Sequence, residues 1–275
     1  MGTCRRCGHP AGWLRKVHPE CAEKYESTRQ RLASDLATAI GRNENVTSTR
    51  ARLLPIAREG WVRGEDFESS LVDGWEKAAV DMMESGRMDE HGEAQLMGYA
   101  SALGIVSRLN DRQAYRRMAQ AAVLRDLAEG RVSSRVQYSG AMPNLARNET
   151  LIWVFEDTEY LEDRVRREYV GRSQGFSFRI AKGVTYRIGG FRGRPVEHQE
   201  RVSLGRGTLF VTSKNLIFVG AQKTFKIPYA KVVAFEPYSN GLGFTRDAAN
   251  AKAQLFMTDD GAFLSEMVSL VSAQA

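Results

Sequence analysis

The stretch GTLFVTSKNLIFVG, residues 207–220, decides how the C-terminal half of this chain is read. Leu209, Phe210 and Val211 lead into Ser213-Lys214-Asn215, and Leu216, Ile217, Phe218 and Val219 follow. Two β-forming apolar runs joined by turn residues predict an antiparallel hairpin. Outward from it the same grammar repeats. LIWVF (151–155), FSFRI (176–180), GVTYRIGGF (183–191), RVSLGRGTLFVTS (201–213), QKTFKIPY (222–229), KVVAFEPY (231–238), LGFTR (242–246) and AQLFMT (253–258) are short β-rich runs. Turn residues such as Ser239-Asn240-Gly241 and Asp259-Asp260-Gly261 separate them. The final segment changes period: Phe263, Met267, Leu270 and Val271 fall at helical spacing. Several antiparallel strands closed by a C-terminal helix make an α+β arrangement. The helix is expected to plug one open end of a strongly bent sheet.

Upstream the period is helical. Phe67, Leu71, Trp75, Ala78, Ala79, Met82 and Met83 form one face of an amphipathic helix. Asp89 is placed to cap the next, with Glu90 and Glu93 in its first turn, Leu96, Tyr99, Ala100 and Leu103 on its face, and Gly104 as its stop. A third helix is expected from near Asp111 through Met118 and Leu127 to Gly130. Residues 22–39 have helical propensity without a strong apolar stripe, and 41–50 read as a connector. The expected organisation is a zinc knuckle over 1–24, a helical bundle over 25–132 and a β-rich domain over 133–275.

All three cysteines lie in the first twenty-one residues, and they stand in metal-ligand order. Cys4, Cys7, His18 and Cys21 read as C-x2-C-x10-H-x2-C around a turn-prone GHPAGW stretch. Zinc takes four tetrahedral sulfur and nitrogen ligands, and each short pair supplies two from one tight turn. His9 competes with His18, but the distance from His18 to Cys21 repeats the short-pair spacing. One structural zinc ion is the expectation, stabilising a fragment too small to hold a core of its own. With no cysteine among the remaining 254 residues, the cysteine usage points to a reducing compartment, and thus to the cytoplasm. No apolar run approaches a membrane span, and the N-terminus has no secretory h-region.

The net charge of +6 is uneven: residues 171–230 alone carry eleven lysines and arginines against two glutamates. A local excess on β-structure points to an anionic partner or an acidic protein face. Alternation along the strands would gather many of these cations on one face. Arg187, Arg192, Arg194, Arg206, Lys214, Lys223 and Lys226 are the candidate anion-binding residues, with the loop GGFRGRP (189–195) the foremost contact point. Arg5, Arg6, Arg15 and Lys16 flank the zinc ligands, with Trp13 and Tyr25 as the aromatics nearby. His91 and His198 are isolated. The chain lacks a phosphate-loop motif, a G-x-S-x-G elbow and an H-E-x-x-H pair. A binding role is expected rather than catalysis.

Three resemblances follow from these residues. The G-x-L-x-V-T-x-K-x-L-x-F-x-G hairpin (207–220), the basic run with Lys223, Lys226, Ile227 and Pro228, the Lys231-Val232-Val233 strand and the terminal helix together resemble a bacterial pleckstrin-homology-like or GRAM-type domain over about 150–273. That resemblance implies a seven-stranded, helix-capped barrel that binds phosphoinositides or proteins. The segment SGRMDEHGEAQLMGYASALGI (85–105) is similar to a helical hairpin of the tellurite-resistance TerB-like bundle, in which acidic residues hold metal. Asp73, Glu76, Asp81, Glu84, Asp89, Glu90 and Glu93 are the acidic residues of this region. The N-terminal module resembles a treble-clef or zinc-ribbon fragment. Together the three parts resemble bacterial multi-domain adaptors. The expected partner is a protein, with anionic lipid as a further candidate, and the alternative is a nucleic-acid-binding accessory factor using the knuckle and the basic face.

Overall fold

Helices fill the first half of the chain and strands the second. The computed structural model describes residues 2–13, 15–136, 138–173, 176–181, 184–188, 191–247 and 252–274, with backbone alone over 164–200. The chain forms two compact units, 1–125 and 126–275.

In the first unit a two-stranded hairpin, β1 (Gly2–Thr3) and β2 (Pro10–Gly12), precedes α1 (Pro19–Gly41), α2 (Val46–Glu59), α3 (Glu65–Glu84), α4 (Glu90–Leu103) and α5 (Gln113–Ala128), whose last turn crosses the division. Helix α2 begins inside the stretch read as a connector. Asn45 makes the difference: its side chain accepts from Thr47 N at 3.0 Å and Ser48 N at 3.1 Å, a cap that fixes the start of a helix with no strong apolar stripe. The cap expected at Asp89 forms, accepting from Gly92 N at 2.8 Å, and Gly104 ends α4 at φ +73°. Leu32, Leu36 and Ile40 of α1 are buried with Leu53, Leu71, Trp75, Leu96 and Leu103. Trp75 also donates its indole N–H to the Leu96 carbonyl at 2.8 Å, so its burial leaves no polar atom stranded. Helices α1 and α3 approach closely at Gly74, where an added Cβ would lie 2.7 Å from the Ala33 carbonyl oxygen.

The second unit contains β3 (Leu151–Ser173), β4 (Phe176–Ala181), β5 (Val184–Ile188), β6 (Phe191–Thr212), β7 (Asn215–Gly220), β8 (Thr224–Pro228), β9 (Val232–Tyr238), β10 (Gly241–Arg246), β11 (Gln254–Met257) and α6 (Gly261–Ser272). Seven strands form one antiparallel sheet in the order β8-β7-β6-β3-β11-β10-β9, and β4 pairs with β5 separately. The first strand of the unit therefore sits in the middle, shared by the meanders β6-β7-β8 and β9-β10-β11. β8 and β9 are its edges, so hydrogen bonding does not close the sheet into a ring. The hairpin read at 207–220 is β6 with β7, paired from Gly207↔Gly220 to Val211↔Leu216. Both β3 and β6 run far beyond the short apolar segments read from sequence. Helix α6 packs on β9 and β10, and Phe263 meets Trp153 edge-on at 5.0 Å between centroids. Tyr160, Phe218, Phe244 and Phe256 are buried together in the sheet's core.

Candidate metal centre

The first ligand pair stands on a knuckle whose turn is closed by backbone bonds. Gly8 N donates to the Cys4 carbonyl at 2.9 Å, and Cys4 N donates to the His9 carbonyl at 2.8 Å. Gly8 adopts φ +78°, a conformation that a side chain would strain, which explains a glycine directly after Cys7. The second pair belongs to the start of α1. His18 is the N-cap residue and Pro19 follows at the first helical position. Cys21, three residues past the cap, therefore sits in the first turn of α1.

These elements bring the ligand atoms of Cys4, Cys7, His18 and Cys21 within 4.8 Å of one another. His18 Nδ1 lies 3.4 Å from Cys7 Sγ and 3.7 Å from Cys21 Sγ. Tetrahedral zinc with its usual bond lengths has nitrogen–sulfur edges of about 3.5 Å. The other ring nitrogen, Nε2, is 2.9 Å from the Pro10 carbonyl. A carbonyl only accepts, so Nε2 carries the proton and Nδ1 turns its lone pair toward the sulfurs, the arrangement of a metal-bound histidine. The group can hold a metal ion and fits zinc. Among the described residues no other group of three or more His, Cys, Asp or Glu side chains converges in this way.

Cys4, His18 and Cys21 are shifted in different directions. Burial raises the Cys4 thiol, but the backbone N–H groups of Cys7, His18 and Arg6 bring it down to about 6. Burial, followed by the neighbouring sulfurs of Cys7 and Cys4, pushes Cys21 up to about 11. The Pro10 carbonyl, then Cys7, raises His18. Three sulfurs crowded this closely cannot all ionise without a cation, and a divalent ion removes that conflict by deprotonating each ligand it binds.

Arg6 fastens the module to the helices. Its guanidinium lies 3.4 Å from the centre of the Tyr25 ring on α1, and it donates to the Trp61 carbonyl at 3.4 Å. Arg5, Arg15 and Lys16 are exposed, and Trp13 is 90% exposed. Of the acidic residues read over 73–93, Asp73 and Glu76 face Arg112 at 3.5 and 3.3 Å, and Glu93 pairs with Arg125 at 2.5 Å.

The candidate anion-binding residues fall into two groups. The side chains of Arg187, Arg192 and Arg194 lie outside the described residues, as does the backbone of 189–190. Of the others, Lys214 is exposed, Arg206 pairs with Asp157, Lys223 reaches Glu162 at 2.7 Å, and Lys226 reaches Glu149 at 3.1 Å. Glu149 is the residue that sequence reasoning missed. Its side chain is fully buried and accepts from Asn215 Nδ2 at 2.6 Å, Thr212 Oγ1 at 2.7 Å, Ala146 N at 2.8 Å and Lys226 Nζ. Burial alone would raise the carboxyl, yet the donors from Ala146, Thr212, Asn215 and Lys226 hold it at about 2. The Thr-Ser-Lys-Asn turn of the hairpin is thus tied to a carboxylate more than sixty residues away in sequence. Asp126 is a second such node, taken by Ser133 at 2.7 Å, Arg135 at 2.8 Å and Arg131 at 2.9 Å.

No family model matches the chain, and no curated protein matches it. Among the described residues no helix is long and apolar enough to cross a membrane.

Proposed function

We propose that this chain is a non-catalytic adaptor of bacterial type that works in the cytoplasm. A single structural zinc ion at Cys4, Cys7, His18 and Cys21 organises its N-terminal module, a TerB-like helical bundle follows, and a pleckstrin-homology-like domain engages a protein partner. The observation that carries this reading is the second unit's topology. Seven antiparallel strands in one sheet, followed by a helix, support it by matching the strand count and terminal helix that the resemblance implies, although hydrogen bonding does not close the sheet into a barrel. A groove of about 550 Å³ between β9, β10 and α6, with Phe235, Leu242 and Ala262 beside Ser265, Glu266 and Ser269, supports a protein partner, as does the exposed Val233 on the edge strand β9. Four protein ligands complete a tetrahedron, which supports a bracing role for zinc over a catalytic one.

Affinity capture of the tagged full chain from its native cells, washed at high salt, tests the partner. A stoichiometric protein that survives the wash supports the reading, and recovery of nothing but salt-eluted polyanions overturns it. Metal analysis of the purified chain should give about one zinc per molecule. Turnover of a small molecule by the isolated chain would overturn the non-catalytic assignment.

A further inference from the structure

The chain's entire charge excess falls within residues 164–200. That stretch holds nine lysines and arginines against three glutamates, an excess of +6, and the whole chain carries +6. Six of the nine cations, with all three glutamates, fall on the paired portions of β3 and β6, a net of +3, while Arg179 and Arg187 fall on β4 and β5. β11 pairs with β3 only over Glu159–Glu162, and β7 pairs with β6 only over Gly207–Val211. β3 and β6 nevertheless go on pairing with each other, from Asp163↔Arg201 out to Ser173↔Phe191, without a register shift. Among the described residues no other strand pairs with this portion. It is a two-stranded antiparallel arm, and the chain between its strands contains the hairpin β4–β5.

Directly opposed residues share a face of such a ribbon. Arg164, Arg166 and Arg172 of β3 fall on one face with Arg192 and Arg194 of β6, accompanied by Glu168 and Glu200. Val165, Tyr169, Phe191 and Pro195 fall on the other, with Arg167 opposite Glu197. Residues 164–173 extend for about 33 Å at the usual rise, close to one turn of duplex DNA at about 34 Å. The major groove admits a helix or a two-stranded ribbon. On this face the arginines fall toward the two ends, with Glu168, Val170 and Val196 between them, a spacing that lets them meet phosphates at either end of one groove turn.

We propose that this arm binds double-stranded DNA, laying its arginine face along the groove phosphates. This binding is independent of the protein partner proposed above, which concerns the sheet and α6. The test is fluorescence anisotropy of the full chain with a labelled mixed-sequence duplex of about 30 base pairs. For about five phosphate contacts the affinity should fall roughly 500-fold between 50 and 200 mM salt. In a shortened chain, Asn-Gly replaces residues 164–200 and joins Asp163 to Arg201, which already stand opposite one another. It should keep its unfolding midpoint and lose at least about 100-fold in affinity at low salt. A full-length variant with Arg164, Arg166, Arg172, Arg192 and Arg194 each →Gln should show the same loss, so the result does not hang on the folding of the shortened chain. Undiminished duplex binding by either variant overturns the proposal. So does equal affinity for a single strand, or sedimentation with acidic phospholipid vesicles in the absence of duplex binding.

Discussion

At Cys4, Cys7, His18 and Cys21 the converging atoms can hold a metal ion, whereas at Glu149 a buried carboxylate has its donors from the protein. The first cluster ties the β1–β2 hairpin to the start of α1, the second ties the irregular segment before β3 to the β6–β7 turn, and their surroundings differ. Residues 2–13 contribute only Cys4 and Ala11 to the buried apolar set, so little besides the ion can order the knuckle. Glu149 adjoins Leu151 in sequence and shares its unit with the cluster of Leu151, Phe210 and Ile217, so its segment retains apolar burial without the network. One cluster should behave as a switch between ordered and unordered, the other as a graded contribution to stability.

The sharpest way to break this contrast is to remove the metal. Cys21→Ser, or a strong chelator, should abolish zinc stoichiometry and hydrogen-exchange protection over residues 2–18. The helices α3 and α4 should stay protected, since their core of Leu71, Trp75 and Leu96 does not involve the ligands. Protection that persists in the knuckle would mean the ion is not what orders it. Glu149→Ala comes next, leaving Thr212, Asn215 and Lys226 without their shared acceptor. A loss of about 3 kcal/mol in urea unfolding of the second unit is expected, with Glu149→Gln milder.

Acid sharpens the comparison further. Glu149 and Asp126 are both held at about 2, against ordinary values of 4.5 and 3.8. A depressed folded-state value contributes stability that is fully present above the ordinary value and is lost as pH falls toward the folded one. The urea midpoint of the second unit should therefore be level near neutrality and drop between about pH 4.5 and 2. Glu149→Gln should flatten that drop. The smallest effect expected is from Arg6→Ala, which removes the guanidinium from the Tyr25 ring at a cost of about 1 kcal/mol. It should leave zinc stoichiometry intact, separating the docking of the module from its folding.

Much of this was legible along the chain. Cysteine spacing picked out the four side chains that converge into a group able to hold a metal, since a chelating pair needs neighbours within one turn. The spacing of Phe67, Leu71 and Trp75 announced α3, and Asp89 announced the start of α4. The passage that misled was GGFRGRP (189–195), read as a loop, because Phe191–Pro195 belong to β6. In β6 Pro195 lies opposite Tyr169 within a two-stranded ribbon, and such a ribbon tolerates a missing N–H on its unpaired side. Glu149 gave no signal at all. One carboxylate beside Asn148 and Thr150 looks like any turn residue until Thr212, Asn215 and Lys226 fold against it.

By itself, then, the sequence determined which half is helical and which is β, and which four side chains can grip an ion. Periodicity and ligand spacing are local properties, settled within a few residues of backbone. Tertiary structure alone decided that β3 runs between β6 and β11, that Arg6 stacks on Tyr25, and that Lys223 and Lys226 face carboxylates rather than open solvent. Those outcomes depend on which distant segments pair, and pairing is fixed by burial of the whole core rather than by any short stretch of chain.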